Sequence, residues 1–354
     1  MRIAQIAPLQ EAVPPRLYGG TERIVAHLSD ALVELGHHVT LFASADARTQ
    51  AELVPVRDQA IRLDPYPLKS DVAAHLLMLA ELRERARQFD IIHFHIDLLH
   101  FPFFEHLAER TITTLHGRLD FKDLPDAYRR WDSYPLVSIS DRQREPMPDA
   151  NWIGTVHHGI PVSQIPFSPE ARGGYLAFLG RISPEKRPDR AIRVARRAGV
   201  PLKIAAKVDK VDAAWHEEVI APLLDAPGVE YIGEIDDSTK AAFLGDAKAL
   251  LFPIDWPEPF GLVMIEAMAC GTPVIGWDCG SVPELLEEGV TGMIVRSEDE
   301  AVEAVHRIGD LDRRQVRSAC ELRYSSVAMA RRYLELYRMR CELHRSSDDI
   351  LRTA

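Results

Sequence analysis

Trp256-Pro-Glu-Pro-Phe-Gly-Leu-Val-Met-Ile-Glu-Ala-Met-Ala-Cys-Gly-Thr-Pro-Val-Ile275 holds two carboxylates, Glu258 and Glu266, with seven residues between them. Pro257 and Pro259 flank Glu258 and oppose helix there. A short helix is expected to begin near Gly261 or Leu262 and to carry Glu266. Gly271 ends it, and Pro273-Val-Ile-Gly-Trp277 leaves as a buried strand. Glu258 is thus expected at the mouth of a helix N-terminus and Glu266 about a turn deeper. The N–H groups of Phe260, Gly261 and Leu262 are expected to face any anion that docks there. Two surface glutamates around a core helix would be the plain alternative. The surrounding run is apolar, however, and two ionised groups would be poorly solvated in it.

A strand–turn–helix of this kind suits a ligand with hydroxyls at both ends and phosphates between them, which describes a nucleotide sugar. The bulk composition is ordinary for a soluble globular protein. The chain has 354 residues, 46% hydrophobic and 27% charged, enough for two domains. Net charge is −11. Residues 1–165 hold 17 Lys+Arg against 22 Asp+Glu, and the remainder 25 against 31. Neither half is basic, which argues against nucleic acid as a partner and leaves peripheral membrane contact without support. Cys270, Cys279, Cys320 and Cys341 form no CxxC pair and read as reduced thiols of a cytoplasmic protein. The N-terminus reads as a strand rather than a signal peptide, and no run of 18 apolar residues occurs.

Both halves alternate strand and helix. In the first, strands are expected at Ile3–Ala7, Val39–Ala43, Ile91–Ile96, Thr111–His116, Leu136–Ser140 and Thr155–His158. Thr21 reads as an N-cap, Ile24, Val25, Leu28, Ala31, Leu32 and Leu35 share a helical face, and Gly36 closes it. In the second half the strands are Tyr175–Gly180, Leu202–Val208, Val229–Gly233, Ala249–Pro253, Pro273–Trp277 and Met293–Val295. Six β-branched runs per half, with helices between, describe two doubly wound parallel sheets. The join falls in the Pro-rich stretch 160–169. Ala330, Tyr333, Leu334, Tyr337 and Cys341 share a face of a terminal helix, which is expected to fray from about Ser346. Ser281-Val-Pro-Glu284 has the pattern of a capping box.

The opening stretch resembles the signature of retaining glycosyltransferases of family 4 (glycosyl transferases group 1), in which two glutamates lie seven residues apart within Glu-x-Phe-Gly-x-x-x-x-Glu-Ala-Met-Ala-x-Gly-x-Pro-Val. This chain carries that pattern without a gap. The resemblance implies an α/β, GT-B architecture: two Rossmann-like domains whose parallel sheets face across a cleft. An acceptor-side domain would span 1–165 and a nucleotide-sugar-binding domain 166–325. A C-terminal helix, 326–354, would return to the first domain past a hinge near Ser325.

Further residues take meaning beside that motif. Gly180-Arg-Ile-Ser-Pro-Glu-Lys-Arg-Pro188 follows a strand, and ligands bind open α/β sheets at the carboxyl ends of strands. Arg181 and Lys186 there suit a diphosphate leaving group, with Arg187 an alternative for the second cation. Tyr18-Gly-Gly-Thr-Glu22 is no dinucleotide fingerprint, but Gly19 and Gly20 allow close backbone approach before a helix. The resemblance makes this a loop over the donor. Ile92-His-Phe-His-Ile-Asp97 places His93, His95 and Asp97 on one strand face. With His100 they could be read as a metal site, but the neighbouring Phe94, Leu98 and Leu99 supply no ligands from other elements. His95, Asp97 and Arg118 are read as cleft-lining. The resemblance makes His116, in Thr113-Thr-Leu-His-Gly117, the residue facing the transferred sugar.

The expected activity is therefore transfer of a sugar from a nucleotide diphosphate to a carbohydrate or glycolipid acceptor. His116, Arg181, Lys186 and Glu258 would be catalytic. Gly19, Gly20, Phe260, Gly261, Leu262 and Glu266 would bind the donor. No metal or other cofactor is expected, because no Asp-x-Asp clamp is evident. Two rivals are a GT-B sugar-nucleotide epimerase and a non-catalytic nucleotide-sugar or carbohydrate-binding protein. A phosphorylase would need a lysine for a Schiff-base cofactor, and no candidate stands out. Retention of configuration, with the departing diphosphate taking the acceptor proton, follows from the resemblance, since no carboxylate nucleophile is evident.

Overall fold

The computed structural model describes residues 1–16, 19–66 and 68–353, with side chains to residue 344. Two compact units emerge, Met1–Ile160 with Ser326–Ala354, and Pro161–Ser325. Each is built on one parallel sheet.

In the first unit the strands are β1 (Arg2–Ile6), β2 (His38–Ser44), β3 (Glu52–Arg57), β4 (Ile91–Phe94), β5 (Thr111–Thr114), β6 (Leu136–Ser138) and β7 (Trp152–Thr155). They lie in the order β3-β2-β1-β4-β5-β6-β7, all neighbours parallel. Ile3 pairs with Val39 on one side and with Ile91 on the other. These strands are apolar on both faces because helices cover both faces. Ile6, Phe42, Leu82, Ile92, Phe94 and Phe104 form one core cluster. The edge strand β3 was not among the expected strands. Pro55 interrupts its apolar run and its burial alternates weakly, as befits an edge, where a missing N–H costs least.

The Gly20–Glu34 helix starts one residue before the expected cap. Gly19, extended at φ −174°, takes the cap position and no side chain caps it, so Thr21 lies inside the helix. The C-terminal helix, Ser326–Thr353, belongs to the first unit and packs on the Gly20–Glu34 helix and on β4. Ala330, Tyr333, Leu334 and Tyr337 are buried, at the helical spacing that their sequence positions dictate. Its backbone stays helical to Thr353, past Ser346.

The second unit has β8 (Leu176–Arg181), β9 (Leu202–Lys207), β10 (Val229–Gly233), β11 (Ala249–Phe252), β12 (Val274–Trp277) and β13 (Gly292–Val295), in the order β10-β9-β8-β11-β12-β13. Order reverses at β8, so the crevice beside its carboxyl end is the topological switch point. The Pro188–Ala198 helix buries Ala191, Ile192, Ala195 and Ala198 against Leu176, Phe178, Ile204 and Ile275. Arg313 ties this unit's chain ends together, donating to the carbonyls of Ser168, Gly245 and Ala247 at 2.7–2.9 Å.

Candidate active site

The motif helix runs Leu262–Ala269, with Gly261 as its N-cap. Gly261 stands at φ +82°, and a Cβ there would lie 2.9 Å from both Met264 and Phe252. Glycine is therefore required on two counts. The preceding loop, 253–260, leaves the carboxyl end of β11. It is pinned from three directions. Asp255 N–H donates to the Glu185 carbonyl at 2.9 Å, and Arg190 reaches the Pro253 carbonyl at 3.1 Å. Ser281 closes the third side: its N–H donates to the Glu258 carbonyl at 3.0 Å and its hydroxyl to the Phe260 carbonyl at 2.7 Å. The expected capping box is thus not formed by Ser281. Its hydroxyl serves the motif loop, and the helix it precedes is only Val282–Leu285. Gly280 permits this contact, since a Cβ there would meet the Glu258 backbone at 2.4 Å.

Both motif glutamates are paired with lysines. Lys186 Nζ meets Glu258 Oε2 and lies 5.0 Å from the centre of the Trp256 ring. Both partners are largely buried. Lys240 Nζ donates to Glu266 Oε1 at 2.8 Å and to Asp237 at 2.8 Å. Arg181, at the end of β8, is ringed by carboxylates: Asp209 at 3.3 Å, and Asp212 and Glu185 at 3.7 Å. A hydrogen bond from Lys207, and then Arg181, hold Asp209 below the usual carboxylate range. Arg187, the alternative second cation, is committed to Asp189 and Asp255. Lys186 therefore fits the role better. Most of these groups stand at the carboxyl ends of β8, β9 and β11 or on the motif helix; Asp237 and Lys240 lie on the Asp237–Gly245 helix, and Asp189 on the Pro188–Ala198 helix. This edge can take a polyanion with its cations and polyol hydroxyls with its carboxylates.

In the first unit the corresponding edge carries a cluster of uncharged rings and hydroxyls. His95 Nδ1 lies 2.9 Å from His116 Nε2, and His95 Nε2 lies 2.8 Å from Gln5 Oε1. His93 bridges the Tyr337 hydroxyl and the Thr114 hydroxyl, each at 2.7 Å, and Gln5 Nε2 donates to Tyr337 at 3.1 Å. His158 stacks on His116, ring centres 5.2 Å apart. Burial lowers His116 to about 3 and holds His93, His95, His100 and His158 well below the ordinary histidine value. The cluster is neutral at pH 7.

His93 and His95 do share a face, with ring centres 4.0 Å apart, but Asp97 does not join them. The strand ends at Phe94, and Asp97 occupies a left-handed turn at φ +49°. Asp97 is exposed as a residue, and the protein atoms packed around its carboxyl group push it up to about 6. Arg118 is held at 2.7 Å by Asp120 and lies over the Phe121 ring. Gly19 and Gly20 open the first helix, beside the buried Glu22, while Tyr18 lies outside the described residues. Among the described residues no group of His, Cys, Asp or Glu is placed to hold a metal ion, and no helix is long and apolar enough to cross a membrane. Sequence reading passed over Lys240, Ser281's role, Gln5, Thr114 and Tyr337's hydroxyl. Lys240 sits in an ordinary polar helix, and the polar atoms of the others lie inside apolar runs, so no local pattern marks them.

Comparison with known proteins agrees with this geometry. Residues 166–319 match the family described as Glycosyl transferases group 1, and residues 18–164 match Glycosyltransferase Family 4. A Mycobacterium tuberculosis glycogen synthase is 26% identical over 340 residues, covering 81% of each chain. A phosphatidyl-myo-inositol mannosyltransferase of Mycolicibacterium smegmatis is 26% identical over 357 residues, covering 92% of this chain and 88% of that one. Among solved structures, Anabaena HepE in complex with UDP and glucose superposes with a TM-score of 0.71 at 17% identity, covering 95% of this chain and 99% of its own. With both units matched by the two profiles, and with the sheet topology and glutamate motif in place, the chain belongs to the glycosyl transferases of group 1 and family 4, and is a glycosyltransferase with the GT-B fold.

Proposed function

We propose that this glycosyltransferase moves a sugar from a nucleotide diphosphate to a carbohydrate or glycolipid acceptor, with retention of configuration and without a metal. The observation that carries the reading is the pairing of Lys186 with Glu258 at the switch point of the second sheet, with Arg181 in the same loop. Two cations beside a helix N-terminus suit a diphosphate, and Glu266 deeper on that helix suits ribose hydroxyls. The glycogen synthase and mannosyltransferase names of the relatives, and UDP with glucose in the Anabaena structure, support a nucleotide-sugar donor. The four cysteines, none of them in a disulfide, favour a cytoplasmic site of action.

In the proposed step the bond from the anomeric carbon to the diphosphate oxygen breaks, and a bond to the acceptor oxygen forms on the same face. The acceptor's proton passes to the departing diphosphate. Arg181 and Lys186 stabilise the charge that develops there, Glu258 holds a hydroxyl of the transferred sugar, and His116 orients that sugar. Neither a charged base nor a carboxylate nucleophile is required of the neutral histidine edge.

Two experiments test this. A thermal-shift screen with UDP-, GDP- and ADP-sugars should single out one donor. A ligand at a hundredfold its Kd adds about 2.7 kcal/mol of stability. With that donor, proton NMR of the new anomeric centre should show an α-linked product from an α-linked donor. A β-linked product would overturn the mechanism.

A further inference from the structure

The polar chain inside the first unit has a direction. Histidine rings and hydroxyls can each face either way along such a chain, but the side-chain amide of Gln5 has distinct donor and acceptor ends. Its Nε2 donates to the Tyr337 hydroxyl at 3.1 Å, and its Oε1 stands 2.8 Å from His95 Nε2. An amide oxygen only accepts, so His95 carries its hydrogen on Nε2. A neutral His95 then offers a lone pair on Nδ1. His116 Nε2, 2.9 Å away, must be the donor in that contact. A neutral His116 with its hydrogen on Nε2 has an acceptor at Nδ1. That atom is buried and has no partner among the described residues. A buried acceptor without a donor is costly until something supplies one.

We propose that Gln5 and His95 are positioning residues that fix the hydrogen of His116 on Nε2, leaving Nδ1 to accept from a hydroxyl of the transferred sugar. The Tyr337 hydroxyl, from the C-terminal helix, orients the Gln5 amide. The consequence is selective: Nδ1 takes a hydroxyl and rejects an anionic oxygen, which has no hydrogen to give. This rests on the transferase reading above, in which the sugar meets His116. The other branch runs consistently. Tyr337 donates to His93 Nδ1, and His93 Nε2 donates to Thr114. Burial keeps all three rings uncharged, so each has one donor and one acceptor and the direction persists.

The test reads hydrogen placement directly. Two-bond proton–nitrogen NMR of the full-length chain labelled with 15N-histidine, without substrate, should show His116 with Nε2 protonated and Nδ1 bare. In Gln5→Glu the new carboxylate accepts from both Tyr337 and His95. His95 can then protonate fully and donate from Nδ1, and the hydrogen of His116 moves to Nδ1. Turnover should fall on the order of a hundredfold, as for loss of one oriented polar contact at the reacting sugar, with donor Kd within about twofold of wild type. Tyr337→Phe keeps Gln5 and frees its amide to turn, so a mixture of the two placements is expected. Wild-type His116 with Nδ1–H overturns the relay even in a fully active transferase. Correct placement in the wild type, with kcat unchanged once Gln5→Glu has moved the hydrogen, overturns its link to the chemistry.

Discussion

The two units present opposite electrostatics at the same end of the same kind of sheet. In the first, the carboxyl-terminal edge carries a ladder of neutral rings and hydroxyls, with His93, His95, His116 and His158 uncharged. In the second, it is a set of ion pairs, Lys186 with Glu258, Lys240 with Glu266, and Arg181 among Asp209, Asp212 and Glu185. Neutral buried polar groups are satisfied only by geometry, so they preorganise a site and hold it still. Ion pairs are satisfied by charge, and a charged ligand can exchange for one partner. A sugar ring, uncharged and stereochemically exacting, suits the first arrangement. A nucleotide diphosphate suits the second.

The largest expected effect separates the units by pH. Five histidines of the first unit have folded-state values well below the ordinary one. The unfolded chain takes up protons below about pH 6.5 while the folded one does not, so stability falls as pH falls. Each such histidine costs about 1.4 kcal/mol per pH unit below that point, until its folded value is reached. For His116 the window runs down to about 3. In the second unit Asp189 is held low by Arg187 and Arg193, against the desolvation that alone would raise it, and Asp209 by Lys207. Their stabilisation is present above the unfolded carboxylate range and is lost only as pH falls through it, below about 4. Hydrogen-exchange mass spectrometry between pH 7.5 and 5.5 should therefore show β1, β4 and β5 losing protection while β8, β11 and β12 keep theirs. Equal losses in both sheets would break the comparison.

Next in size are the cations. Arg181→Ala and Lys186→Ala should each lower kcat/KM on the order of a hundredfold, about 3 kcal/mol of transition-state stabilisation. Lys186→Ala also leaves Glu258 without its partner, so its melting temperature should drop as well. Wild-type kinetics in both variants would remove the diphosphate assignment. Glu266→Gln should weaken donor binding about tenfold by calorimetry with kcat nearly kept, because ribose hydroxyls are held alike in ground and transition states. Glu258→Gln should lower kcat as well. Unchanged donor affinity in Glu266→Gln would show that the two glutamates are not divided in this way. The smallest effect is none at all: turnover should survive excess EDTA, since in the proposed reading Arg181, Lys186 and helix N–H groups meet the diphosphate charge. Activity lost to EDTA and restored by magnesium would show that the second edge borrows a cation.

Much of this was readable along the chain, because the physics involved is local. Apolar runs of four to seven residues between helical faces produce parallel strands wherever both faces are covered. Pro257, Pro259, Gly261 and Gly271 punctuate the motif through their own backbone limits. Each of these depends on neighbours a few positions away, so the helix at Leu262–Ala269 and the strand at Val274–Trp277 could be placed to within a residue or two. The edge strand β3 could not, since Pro55 is permitted only by its position at the rim of the sheet, which no local pattern announces.

Partners are another matter. Lys240 is 26 positions from Glu266, Lys186 is 72 from Glu258, and Gln5 is 332 from the hydroxyl it meets on Tyr337. A carboxylate, an imidazole or an amide is chemically the same group whoever its partner is. Its charge state, tautomer and direction of hydrogen bonding are set by burial and by groups brought to about 3 Å through the winding of the sheet. The residue types and the strands that carry them followed from covalent order; which histidine holds a proton, which lysine neutralises which glutamate, and which serine ties down the motif loop followed only from folding.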